Sequence, residues 1–142
     1  MLESVTISNY TVDNTYLKRN KVEISNVISM IVNRDYTVAI NHSVKYSIVT
    51  GVFLKNSQPE AEAYIKKNAL KIIRHFIDLN DYATVKGLLE SDKFVNKENI
   101  DKLIDHAIAS TQNDSDTQIQ VLLTNYKNEK FGTSNSIDKL KL

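Results

Sequence analysis

From Asn68 onward the apolar positions of NALKIIRHFIDL recur three and four apart: Leu70, Ile73, Phe76 and Ile77, with Ile72 beside them. That spacing lays one apolar stripe along an α-helix. Asn80 and Asp81 interrupt the stripe. Asp81 suits the start of the next helix, because a short carboxylate can accept from the first free N–H groups. In YATVKGLLE, Val85, Leu88 and Leu89 share one face. After SDKFVNKEN the rhythm returns. Asn96 or Asn99 is placed to cap NIDKLIDHAIAS, in which Ile100, Leu103, Ile104, Ala107 and Ile108 are in register. The polar run TQNDSD then leads into TQIQVLLTNYKNE, where Ile119, Leu122 and Leu123 take the places of Val85, Leu88 and Leu89.

The two helix pairs are copies. KIIRHFI begins at Lys71 and KLIDHAI at Lys102, and Lys, Ile, His and Ile keep their places. A weaker copy precedes them: Ile48, Val49, Val52 and Phe53 match Ile72, Ile73, Phe76 and Ile77, and Ala61, Tyr64 and Ile65 match Val85, Leu88 and Leu89. Pro59 falls at the first position of a helix, where its missing N–H costs nothing. Three helical hairpins are therefore predicted, over 43–67, 68–91 and 97–128. One hairpin cannot bury its stripe alone, and stacking of about three makes a continuous core. The expected fold class is mainly α: stacked antiparallel helical hairpins in about three repeats, with an N-terminal extended or β-like arm. The expected division is an arm or cap over 1–42, a helical-repeat domain over 43–131 and a flexible tail over 132–142.

The N-terminal third supports two readings. In KVEISNVISMIVNRDYTVAI, Val27, Ile28, Ile31 and Val32 suit a helix, whereas Val22, Ile24, Val38 and Ile40 suit short strands. In SVKYSIVTGVFL, Val44, Tyr46, Ile48, Val52 and Leu54 alternate as in a strand, but the repeat match assigns residues 44–55 to a helix. Residues 1–20 read as an extended or β-like arm.

Composition agrees with long helices, since one proline and three glycines in 142 residues leave few breakers. Lys+Arg total 18 against 17 for Asp+Glu. Such balance argues against a nucleic-acid binder, which needs clustered cations. No cysteine is present, so disulfides and thiolate metal sites are excluded. The first twenty residues lack a basic start followed by an apolar core, so no signal peptide is expected. No apolar run approaches a membrane span. The expected compartment is the cytoplasm.

The pairs DYATVKGLLES and DTQIQVLLTNY resemble ankyrin-type hairpins, whose second helix opens on a polar start and carries a paired Leu-Leu. The stretch QPEAEAYIKKN…KFVNKENIDKLIDHAIA…IQVLLTNYKNE is also similar to helical modules at the C-terminal ends of larger bacterial proteins. The resemblance covers about residues 44–128 and consists mostly of packing positions. The Thr-Pro-Leu-His segment and the glycine-rich turn of true ankyrins are missing, so an ankyrin-like or generic α-solenoid describes the pattern best. The resemblance implies a binding scaffold and brings no catalytic residue with it.

The three histidines are His42, His75 and His106. Repeat geometry sets His75 and His106 about 10 Å apart, one helix spacing, too far to share a metal ion. They read as half-buried side chains at a seam between hairpins, with Asp78 and Asp105 as partners. No glycine-rich phosphate loop, HExxH or GxSxG motif occurs, so neither catalytic residues nor a cofactor are expected. Glu60 and Glu62 sit in a first helical turn, where they complement the dipole. The candidate partner-binding residues are Tyr64 with the basic strip beside it, Lys66, Lys67, Lys71 and Arg74, together with Tyr10, Tyr16 and Tyr36, since tyrosine is enriched in hot spots. For the strip, a solvated face balanced by Glu60, Glu62 and Asp78 is the plainer reading. The function expected from the sequence is a non-enzymatic protein–protein interaction module. The alternative is a small inhibitor encoded by a phage or mobile element and directed at a host or defence enzyme.

Overall fold

A computed structural model describes residues 3–110 and 117–131. The chain is mainly helical, at 68% helix, with an N-terminal two-stranded antiparallel sheet. It divides into two compact units, Met1–Asn68 and Ala69–Leu142. The segment TQNDSD and the tail over 132–142 lie outside the described residues.

The N-terminal unit opens with β1 (Ser4–Ile7) and β2 (Tyr10–Asp13), paired so that Ser4 faces Asp13 and Ile7 faces Tyr10. Ser8 and Asn9 form the two-residue turn with φ of 51° and 67°. Left-handed backbone at both central residues matches the twist of the strands it joins. The arm is thus a hairpin, and it ends early. The Asp13 carboxylate accepts from Thr15 N (2.9 Å) and Tyr16 N (3.2 Å), starting the short helix α1 (Asn14–Arg19) inside the stretch read as extended. Of the two readings for the next segment, the helical one holds. Val27, Met30 and Ile31 are buried on α2 (Ile24–Asn33). Val38 and Ile40 lie outside any strand, in a connection held by Asp35, whose side chain accepts from Thr37 N and Thr37 Oγ1.

Asn41 caps α3 (His42–Asn56), accepting from Ser43 N at 2.9 Å. The helix predicted over 44–55 is present, although it is rich in β-branched residues and Val44, Tyr46, Ile48, Val52 and Leu54 alternate as in a strand. Burial of Val44, Ile48, Val49, Val52 and Phe53 on one helical side outweighs that modest propensity cost. Pro59 opens α4 (Pro59–Lys67) as expected, and α4 packs on α3. β2 also packs on α3.

The C-terminal unit contains α5 (Ala69–Asp78), α6 (Tyr82–Ser91), α7 (Ile100–Ser110) and α8 (Gln118–Lys130). Asp81 caps α6 through Thr84 N at 3.2 Å. Asn96 and Asn99 act together before α7: Asn96 Oδ1 accepts from Asn99 N, and Asn99 Oδ1 accepts from Asn96 N, both at 2.8 Å. Within this unit α5 packs on α6, α7 on α8, α5 on α7 and α6 on α8. Ile72, Ile73, Phe76, Val85, Leu88, Leu89, Ile100, Leu103, Ala107, Ile119 and Leu123 form the core. Four positions depart from the expected stripes. Leu70, Ile104 and Leu122 are half-buried, and Ile108 is exposed on the outer side of α7. Leu122 and Ile108 lie at the edge of their stripes, where a further 100° of helical turn carries the side chain off the core.

Several helices end on a left-handed residue that is not glycine, namely Lys21, Arg34, Ser57, Asn80 and Asp92. Glycine usually takes such positions. Here none of the described glycines has positive φ, so the scarcity of glycine does not mean a scarcity of helix ends.

Candidate functional site

The residues singled out as partner-binding divide by environment. In the N-terminal unit, Tyr36 is buried and its hydroxyl donates to Gln58 Oε1. Gln58 Nε2 in turn donates to Ile31 O at 3.4 Å. Burial, with a smaller push from the Glu60 charge, raises the Tyr36 phenol to about 12. The Tyr64 ring stands 6.2 Å from that of Tyr36, and the Lys45 ammonium lies 5.9 Å over Tyr64. Tyr10 is half-buried against α3, and Tyr16 is half-buried on α1. These rings build the N-terminal unit, with Tyr36 contributing no surface of its own.

The basic residues fall on both sides of the unit boundary. Lys66 pairs with Glu62 on the same helix at 3.1 Å. Lys67 is exposed at the end of α4. In the C-terminal unit Lys71 is exposed on α5, whereas Arg74 is half-buried, its Nε without a hydrogen-bond partner.

The histidine echo resolves into a crosslink. His106 Nε2 lies 2.7 Å from Asp78 Oδ1, and Ser110 Oγ donates to the same oxygen at 3.0 Å. Asp78 therefore ties the end of α5 to α7. Ser, His and Asp meet here, but the serine bonds the carboxylate and not the imidazole. A nucleophile needs the base itself as its partner. Among the described residues no cluster of three or more His, Asp or Glu side chains is arranged to hold a metal ion.

His75 is half-buried and packs edge-on to Phe76, ring centroids 5.0 Å apart. Burial lowers its pKa, against a smaller upward pull from Asp78 and Asp81. The neutral ring is favoured in the fold, so the unfolded chain binds the proton first. Stability from this group is full above the ordinary histidine pKa and declines as pH falls below it. Urea unfolding of His75→Gln should show a smaller loss between pH 7 and pH 5 than the unsubstituted chain. The difference is expected to stay under about 1 kcal/mol, because water screens a half-exposed ring.

A further surface feature lies along α6 and α8, and of its lining the sequence pattern places Leu89 and Leu122 in the core. Two hollows adjoin there. One, of about 360 Å³, is lined by Lys86, Leu89, Asp92, Leu122, Tyr126 and Lys130, among others. The other, of about 420 Å³, is lined by Tyr82, Thr117, Gln118, Val121, Leu122 and Asn125. Leu122 and Asn125 belong to both. Tyr82 is 37% exposed and Val121 54%. The floor is held by a polar clasp: Tyr126 Oη donates to Asp92 Oδ1 at 2.7 Å, and Lys130 Nζ reaches Asp92 Oδ2 at 3.4 Å. The phenol bond, then Lys130, holds the Asp92 carboxyl below its ordinary pKa, while burial and Asp92 raise that of Tyr126. The available signal was Val121, an apolar residue one place off the Ile119–Leu122–Leu123 stripe.

Comparisons with protein-family models, with curated proteins and with solved structures give no match to this chain. Among the described residues no helix is long and apolar enough to cross a membrane.

Proposed function

We propose that the chain is a non-enzymatic protein-binding module of helical-hairpin type, and that the α6–α8 face of the C-terminal unit receives the partner. The observation that carries this reading is the pair of adjoining hollows around Leu122, with Tyr82 and Val121 exposed beside them. Hot spots combine an aromatic anchor with apolar neighbours inside a polar rim. Tyr82 supplies the ring here, and Lys86, Gln118, Asn125 and Glu129 supply the rim. The contacts of α5 with α7 and of α6 with α8 support this reading, because second helices line one side of a repeat stack. The partner would present an apolar side chain, flanked by polar groups, to the hollow over Leu122.

The test uses two chains, unsubstituted and Tyr82→Ala/Val121→Asp, with equal helicity by circular dichroism as the control. Proteins captured by the first are purified and their affinities for both are measured. The reading requires a loss of about tenfold or more, the size of one removed anchor. Equal affinity for the two chains would place binding elsewhere.

A further inference from the structure

Lys45 is the most unusual side chain in the N-terminal unit. It lies in the first half of α3, on the side that buries Val44, Ile48 and Val49, and only 6% of its surface is exposed. Among the described residues its ammonium makes no salt bridge and no hydrogen bond. The Tyr64 ring lies 5.9 Å below it. A ring face offsets only part of the cost of removing an ammonium from water. Burial accordingly lowers the Lys45 pKa, against a smaller upward pull from Asp35.

Lys45 lines a cleft of about 660 Å³ bounded by the α1–α2 turn, the 37–41 connection and the start of α3. That volume is ordinary for a small-molecule site. Other donors line it: Lys21, held by left-handed backbone at φ 60°, and Asn26, both exposed. Asn41 uses its side-chain oxygen on Ser43 N and Val44 N, which leaves its amide nitrogen available. The first turn of the fifteen-residue helix α3 adds its positive end. Val22, Ala39 and Ile40 give the cleft an apolar wall, and Glu23 is the one acidic residue of the lining.

We propose that this cleft binds a small molecule through an anionic oxygen group, a phosphate or a carboxylate, that ion-pairs with Lys45 at the start of α3. The bound anion supplies a contacting counter-charge, where Asp35 acts only at longer range. Asn26, Asn41 and Lys21 orient it, and Glu23 in the lining favours a ligand that also carries a donor. The site is independent of the α6–α8 face.

Inorganic phosphate and succinate are the two probes, added separately to the whole chain at fixed ionic strength. The expected result is a concentration-dependent rise in melting temperature with one of them, which assigns the class. Amide shifts should be confined to residues 20–26 and 37–45. Lys45→Met, of similar length, should melt higher than the unsubstituted chain without anion and lose at least tenfold in affinity. Lys55→Met removes an exposed charge on α3 outside the cleft and should bind normally. Binding by neither probe overturns the assignment. So does equal binding by Lys45→Met, or a loss in Lys55→Met as large as that in Lys45→Met, which would make the effect one of net charge.

Discussion

Leu88→Ala and Leu123→Ala should each destabilise the chain by about 2–5 kcal/mol, while Leu122→Ala should cost less than about 1.5 kcal/mol. Leu88 and Leu123 are fully buried, one on each of the two second helices, and α6 packs directly on α8. Removing either side chain loses its transfer energy and leaves a cavity that rigid helix backbones close only in part. Leu122 stands next to Leu123 in sequence but opens onto the hollows, so its removal widens a surface depression. Urea unfolding of the three variants, followed by far-ultraviolet circular dichroism, separates the cases. Equal losses at Leu122 and Leu123 would mean that α8 is rotated from the orientation described. The same three variants also divide stability from binding: Leu122→Ala is the one expected to weaken a partner at the α6–α8 face while leaving the fold nearly intact.

Leu122 also shows where the sequence ran short. Periodicity alone placed Ile119, Leu122 and Leu123 on one stripe, copying Val85, Leu88 and Leu89. The stripe is real, but its width is set by how the neighbouring helix lies, and that is a tertiary property. Residues at the centre of a stripe, such as Ile73, Leu103 and Leu123, were legible because every packing arrangement buries them. The edge residues Leu122 and Ile108 were not. The caps at Asp81 and at Asn96 with Asn99 were legible because a short polar side chain before an apolar run answers a local need, the unpaired N–H groups of the first turn.

The N-terminal unit was harder to read for a different reason. Its helices α2 and α3 are rich in Val and Ile, which leave strand and helix close in local energy. The hairpin was visible only as an extended arm, although Ser8–Asn9 between alternating Thr6–Ile7 and Tyr10–Thr11 is a two-residue turn in miniature. The short helix α1 depends on one carboxylate, Asp13, at the end of a strand. The Lys45 cleft left no trace in sequence at all. A lysine inside a helix is ordinary, and only packing shows that this one is covered, without a salt bridge among the described residues.

Gly51→Ala should destabilise the chain by about 1–3 kcal/mol, against the trend for helices. Glycine inside a helix costs about 1 kcal/mol relative to alanine, and Gly51 lies within α3. If the helix alone mattered, alanine would stabilise. However, a Cβ at this position would come within 2.8 Å of Tyr10 Cζ and nearer still to Cε1. Tyr10 has limited room to move aside. It is half-buried, it closes the β1–β2 hairpin opposite Ile7, and β2 packs on α3. The extra methyl therefore forces either the ring off its rotamer or the hairpin away from the helix. The double variant distinguishes this from a fault in α3 itself. With Tyr10→Ala already in place, Gly51→Ala should become neutral or stabilising by up to about 1 kcal/mol, so the two changes couple with a sign reversal. Chemical denaturation of the four chains gives the coupling directly. A Gly51→Ala chain more stable than its parent would mean that the arm does not rest on α3. The expected loss instead identifies glycine at 51 as the contact that docks the N-terminal hairpin onto the helix carrying Lys45.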